Sequence, residues 1–260
     1  SKVEVRIYHL SSDKTVVTKT ADNNEYTPRI DWTNDSKKVV LQTLSRHQDV
    51  MIMYLSDIKT GESKSILMEQ NAKYIDVPVT EFLSSKNQFL MTSEKDGYNH
   101  IYLYDINGKL INQVTNGRWD VTDFYGVDEE KGLVYFQSAE TSPLQRNIYS
   151  VRLNGSKKTR LTQRDGHNDA SFSSGYKYFI NYHTDANSPH YITINDYKGK
   201  EKRVLVHNAD LKKRMSTVNL SKKEFLKVKV NGEELNAWMI KPKNFDAVSY
   251  THLRAHETEA

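Results

Sequence analysis

The chain has 260 residues and 37% hydrophobic content, enough to bury a sizeable core. It has no cysteine, which excludes a disulfide framework, a zinc-thiolate centre and a cysteine nucleophile. Its 37 basic and 33 acidic residues are interspersed, which describes a mixed solvated surface and argues against a nucleic-acid partner.

Only Lys198–Arg203 and Lys212–Arg214 are basic clusters, and the first sits in a hairpin turn. No run approaches the roughly 18 apolar residues of a membrane helix. The N-terminus shows no secretory apolar region.

In chain order the predicted elements are strands and turns. Val3–Leu10 opens directly as a strand and turns into Val16–Thr18, so residues 1–22 are read as part of a blade. The next unit runs from Tyr26 to about Gln70, with strands at Arg29–Trp32, Lys38–Leu44 and Met51–Asp57 and a return at Ser65–Met68. A third runs from Tyr74 to about Asn116, with strands at Phe89–Thr92, His100–Asp105 and Leu110–Val114. A fourth runs from Asp120 to about Arg164, with Leu133–Gln137, Asn147–Leu153 and Lys158–Leu161. A fifth runs from Ala170 to about His207, with Tyr176–Tyr182, His190–Asp196 and Arg203–Val206. Two further strands, Phe225–Val230 and Leu235–Ile240, flank an Asn231-Gly232 hairpin turn.

These units repeat. The turn glycines Gly61, Gly108, Gly155 and Gly199 stand 47, 47 and 44 residues apart. A period of that length built of strands and turns marks β-propeller blades. The expected fold is therefore all-β: a partial propeller of about four full blades plus a partial one. Residues 1–224 form the propeller, 225–246 are exit strands and 247–260 are a tail of different character. The segment Ser249–Thr258 resembles the read-through of a sequencing adapter, so the tail is set aside as non-native. Its His252 and His256 lie four apart, a spacing that can mimic a helical metal pair.

Catalytic motifs are missing. There is no G-x-S-x-G elbow, phosphate loop, dinucleotide fingerprint or H-E-x-x-H. His47, His100, His167, His183, His190 and His207 stand near strand ends and read as satisfied or solvent-facing. The pairs Glu129-Glu130 and Glu233-Glu234 could hold an amine or share a proton. Both lie in or beside turns and read as solvated. No metal site, no cofactor site and no catalytic residue is expected in this chain.

Four segments carry a resemblance. Ser93–Ile101 (SEKDGYNHI), Asn116–Val121 (NGRWDV), Arg146–Val151 (RNIYSV) and Trp238–Asp246 (WMIKPKNFD) resemble, in order and spacing, segments of the dipeptidyl peptidase IV family. The resemblance spans about residues 1–246. It implies a serine exopeptidase with an eight-bladed propeller and a C-terminal α/β-hydrolase domain that carries the Ser-Asp-His triad. The activity it implies is release of N-terminal Xaa-Pro or Xaa-Ala dipeptides.

The resemblance also implies a periplasmic or secreted address, peptide substrates, and the hydrolase domain as the propeller's partner. It leaves room for a homodimer of the full-length enzyme. The family's paired glutamates for the substrate amine lie upstream of the matched region, so Glu129 and Glu130 do not inherit that role. An aromatic near the family's substrate entrance falls close to Tyr74, the one substrate-binding candidate. Trp119 is expected to be buried between two blades. The close alternatives are the propeller of an acylaminoacyl peptidase or oligopeptidase. A rival of another class is a non-catalytic periplasmic scaffold propeller.

Overall fold

The computed structural model describes residues 3–21, 25–218 and 220–246. The tail at 247–260, with its two histidines, lies outside the described residues. Strands β1 (Arg6–His9) and β2 (Lys14–Val17) form a two-stranded sheet. Four antiparallel sheets of four strands follow, each built from consecutive strands. The first full blade is β3 (Tyr26–Trp32), β4 (Lys38–Leu44), β5 (Val50–Asp57) and β6 (Ser63–Gln70). The second is β7 (Thr80–Phe82), β8 (Gln88–Ser93), β9 (His100–Asp105) and β10 (Leu110–Gln113). The third is β11 (Val121–Asp128), β12 (Leu133–Ser138), β13 (Asn147–Arg152) and β14 (Thr159–Arg160). The fourth is β15 (His167–Phe172), β16 (Tyr178–Thr184), β17 (Tyr191–Asp196) and β18 (Glu201–Val206). Helix α1 (Ala209–Thr217) and the hairpin β19 (Lys223–Val230) and β20 (Glu233–Ile240) are the last elements among the described residues. This is a partial β-propeller, as the repeat predicts.

In the first three full blades the apolar runs become the two middle strands because those are covered on both faces, whereas β16 and β17 of the fourth alternate between buried and more exposed residues. In β4, β8 and β12 nearly every residue is buried. The outer strands β6, β10 and β18 keep much of their surface in water. Burial of both faces explains why Phe89-Leu90-Met91 and Val134-Tyr135-Phe136 show no alternation.

Between consecutive blades lie three apolar clusters. Met53, Phe89, Met91 and Tyr102 belong to the first, Leu90, Val121, Phe136 and Tyr149 to the second, and Tyr135, Ile148 and Phe179 to the third. Each blade thus completes its core only against its neighbours.

The period of the turn glycines has a steric cause. At Gly108 the backbone is left-handed (φ +85°), and a Cβ there would stand 1.6 Å from the carbonyl oxygen of Ile66 on the preceding blade. Gly61 meets Val17 in the same way, at 2.1 Å. The hairpin tip of one blade presses against the backbone of the blade before it, and no side chain fits between.

The turns between first and second strands link the blades as well. Asn34 donates from its amide to the Phe82 carbonyl at 2.6 Å, and the Tyr176 hydroxyl donates to the Tyr125 carbonyl at 3.2 Å. Glu129 differs from the solvated turn residue the sequence suggests. Its carboxylate accepts the amides and hydroxyls of Ser84 and Ser85 at 2.6–2.9 Å. Partial burial pushes its pKa up, but these four hydrogen bonds outweigh that and hold it at about 2.

Helix α1 was not anticipated. Its nine residues bury no side chain, so the chain shows no apolar stripe there. Asp210 in the first turn and Arg214 in the last suit the helix dipole. The Lys212–Arg214 cluster rides on this exposed helix.

Candidate functional site

A cavity of about 730 Å³ opens between the first and second full blades. Its walls are the end of β6, the connection 71–79, the turn after β8, and Tyr104 on β9. These segments meet because the connection crosses from the outer strand of one blade to the first strand of the next. Residue Ile75 in that connection is anchored by its amide to the Gln48 carbonyl at 2.8 Å. Its side chain joins the apolar cluster shared by the two blades. Tyr74, one residue earlier, remains half exposed at the cavity wall. Its hydroxyl donates to the Asp76 carboxylate, and this bond raises the phenol's pKa.

Charged groups converge deeper in. Lys95 donates to the Tyr104 hydroxyl at 2.7 Å and lies 3.8 Å above the Tyr102 ring centroid. Burial holds its pKa below the usual lysine range. Glu69 accepts the Ser93 hydroxyl on Oε2 at 2.9 Å, while its Oε1 is buried without a protein donor. Burial pushes the Glu69 carboxyl above its usual range, and Ser93 and Lys95 only partly offset this. Glu94 is raised too, by burial first and then by Asp76 and Asp120. The cavity therefore carries three carboxyl groups against one amine, with Tyr74 and Tyr104 as aromatic walls. It can hold polar or positively charged parts of a ligand.

The floor of this region is braced by the segments singled out in the sequence. Asn99 exchanges bonds with Val121 at 2.8 Å, and its amide reaches Asp120. His100 is fully buried. Its Nε2 donates to the Gly117 carbonyl at 3.0 Å, so its Nδ1 accepts from the Thr115 hydroxyl at 3.1 Å. Trp119 stands edge-on to His100 and stacks on Phe136 of the third blade, with ring centroids 4.9 and 6.1 Å away. Lys158 caps its outer face. Trp119 is thus between blades as expected, though half-buried rather than fully enclosed.

Of the other candidate histidines, His183 is not satisfied as expected. Its Nε2 donates to the Asp165 carbonyl, but its buried Nδ1 has no partner. Glu233 and Glu234 lie on the exposed β20 hairpin, and only Glu234 has an ion-pair partner, Lys227. Among the described residues no group of three His, Asp or Glu could hold a metal ion. Nor, among them, does any serine hydroxyl bond a histidine. Sequence reasoning missed Glu69 and Lys95. They lie 26 residues apart and meet only when two blades stack.

The blades form a partial β-propeller with a polar cavity between two of them. Residues 1–190 match the dipeptidyl peptidase IV N-terminal region, and the chain belongs to that family. A dipeptidyl-aminopeptidase B of Aspergillus niger is 27% identical over 244 residues, covering 86% of this chain and 27% of that protein. The crystal structure of Porphyromonas gingivalis dipeptidyl peptidase 4 superposes with a TM-score of 0.87 at 36% identity, covering 94% of this chain and 35% of that one. The chain thus spans about a quarter to a third of the length of these relatives. No helix among the described residues is long and apolar enough to cross a membrane.

Proposed function

We infer that this chain is the propeller part of a dipeptidyl peptidase IV-like serine exopeptidase. The full-length enzyme would release N-terminal Xaa-Pro or Xaa-Ala dipeptides, and this part would admit and position the peptide. The observation that carries the reading is the cavity beside Tyr74. It joins acidic side chains and aromatic walls without an activated nucleophile, in a chain of this family. Such a cavity contributes by orienting substrate toward a nucleophile on another domain.

The hairpin β19–β20 supports a second-domain partner. Phe225, Trp238 and Ile240 each leave more than half of their surface exposed, an apolar face suited to packing against an α/β-hydrolase domain. On this reading residues 1–224 are propeller and 225–246 lead toward that domain. The parent protein would work in the periplasm or outside the cell.

The test is the full-length protein assayed on an Xaa-Pro chromogenic dipeptide, with a fluorophosphonate probe for the serine. Turnover that the probe abolishes supports the reading. A full-length protein that binds peptide but neither turns it over nor takes the probe would make it a scaffold.

A further inference from the structure

The sequence holds four Asn-Gly steps: Asn107-Gly108, Asn116-Gly117, Asn154-Gly155 and Asn231-Gly232. One covalent reaction is open to such a step. The glycine amide nitrogen loses its proton to solvent and attacks the carbonyl carbon of the asparagine side chain. The bond from that carbon to the side-chain nitrogen breaks, and ammonia leaves. Water then opens the cyclic imide at either carbonyl, giving aspartate or isoaspartate. One water enters and one ammonia departs, with no oxidant or reductant. Glycine favours the attack because no side chain shields its nitrogen and its backbone turns freely. The fold decides which of the four steps is free to react.

Three are restrained. The Gly108 amide donates to the Asp105 carbonyl at 2.9 Å, and the Gly155 amide donates to the Arg152 carbonyl at 2.8 Å. Both nitrogens are tied away from the side chain before them. Asn154 is held a second time, since its Oδ1 accepts the Ser156 amide at 3.1 Å and the Ser156 hydroxyl at 2.7 Å. Asn231 is exposed in its hairpin turn, but its backbone is left-handed, with φ +52°. At the ψ of about +47° that accompanies such a φ, the next nitrogen lies anti to Cβ and out of reach of the side chain.

Asn116 has none of these restraints. It lies in the connection between β10 and β11, where Asn116, Gly117 and Arg118 are all exposed. Its side chain and the Gly117 nitrogen make no hydrogen bond among the described residues. Its backbone is not left-handed. The glycine that follows is imposed by packing. Gly117 has φ +141°, and a Cβ there would stand 2.1 Å from Trp119 Nε1. The seat of the indole thus requires glycine at 117 and gives Asn116 a reactive neighbour.

The same step supports the junction between the second and third full blades. The Gly117 carbonyl accepts from His100 Nε2 at 3.0 Å, and Trp119 stacks on Phe136 two residues further on. Isoaspartate lengthens the main chain by one methylene before Gly117 and leaves a carboxylate beside it. We propose that Asn116 is a site of spontaneous deamidation, and that its conversion to isoaspartate loosens this junction at His100 and Trp119.

The test ages the folded full-length protein in heavy-oxygen water at mildly alkaline pH, digests it in ordinary water and maps the labelled residues by peptide mass spectrometry. The Asn116 peptide should convert severalfold faster than those of Asn107, Asn154 and Asn231. In urea, where the fold shields none of them, the four rates should draw together. Hydrogen exchange across residues 99–121 should quicken as isoaspartate accumulates. Asn116→Gln closes only a larger and slower ring, so its exchange over the same incubation should stay constant. Comparable rates at all four steps in the folded protein, or another step ahead of Asn116, would overturn the assignment of the site. Unchanged exchange across 99–121 in fully converted protein would overturn the loosening.

Discussion

The junction between the second and third full blades is sealed, whereas the one between the first and second is open at its rim. In the sealed junction Trp119, Phe136 and Tyr149 stack in sequence over the valines at 121, 134 and 151. In the open one the apolar cluster stops at Ile75 and Tyr104, and the rim beyond them is Glu69, Lys95 and Tyr74 around a cavity. The same sheet geometry supports both. Large aromatics across the rim close a seam and fix the blades. Charged side chains in the same place give up packing and leave groups for a ligand to meet.

This division makes sharply different mutational outcomes, beginning with the sealed side. Phe136→Ala should cost about 3–5 kcal/mol, as emptying a fully buried aromatic site does. Trp119→Ala should cost about 3 kcal/mol, less because one face is covered only by Lys158. Both losses are read from denaturant unfolding. Neither change should alter the Michaelis constant of the full-length enzyme once the protein is folded. A large rise in that constant for Trp119→Ala at unchanged stability would move the indole into the binding site.

Gly108→Ala comes next. The left-handed backbone alone costs about 1–2 kcal/mol, and the collision with the Ile66 carbonyl adds to it. Gly155→Ala shares the backbone penalty but meets the preceding blade only at 3.2 Å, so it should cost less. Equal losses at the two sites would mean that blade contact is not what sets the glycine period.

Glu129→Gln should cost about 1 kcal/mol at neutral pH through its Ser84 and Ser85 bonds. The folded pKa is depressed from 4.5 to about 2, so this contribution is present above 4.5 and is lost as pH falls toward 2. The wild type and the variant should therefore converge in stability across that window. Glu69→Gln should do the reverse and slightly stabilise the fold at neutral pH. The folded pKa of Glu69 is raised, so its charged form is disfavoured by folding, and the gain should vanish as pH drops below the ordinary carboxyl range.

Much of the architecture was legible because it is local. Turn glycines, Asn-Gly pairs and runs of β-branched and aromatic residues act within a few positions, and the Lys38–Leu44 strand was bounded to the residue. What the chain concealed is what arises between blades. Glu129 looks like a solvated turn acid until Ser84 and Ser85, some 45 residues earlier, close on it. Asn181 sits in an apolar-looking strand, and only the stacking of two sheets shows that its amide oxygen is stranded. Tyr74 was picked out by resemblance. Its neighbours Glu69 and Lys95 carry no sequence motif, since a cavity is a property of two blades at once.

The account stands on the open junction being the working one. Its most direct test is Tyr74→Ala in the full-length peptidase, with steady-state kinetics on an Xaa-Pro tripeptide and a thermal melt. Tyr74 is half exposed and makes one side-chain hydrogen bond, to its near neighbour Asp76, so the melting temperature should stay within about 1 °C, as for surface changes. The account predicts a Michaelis constant raised severalfold with turnover nearly unchanged, the signature of lost substrate binding. A Michaelis constant equal to that of the wild type would contradict it.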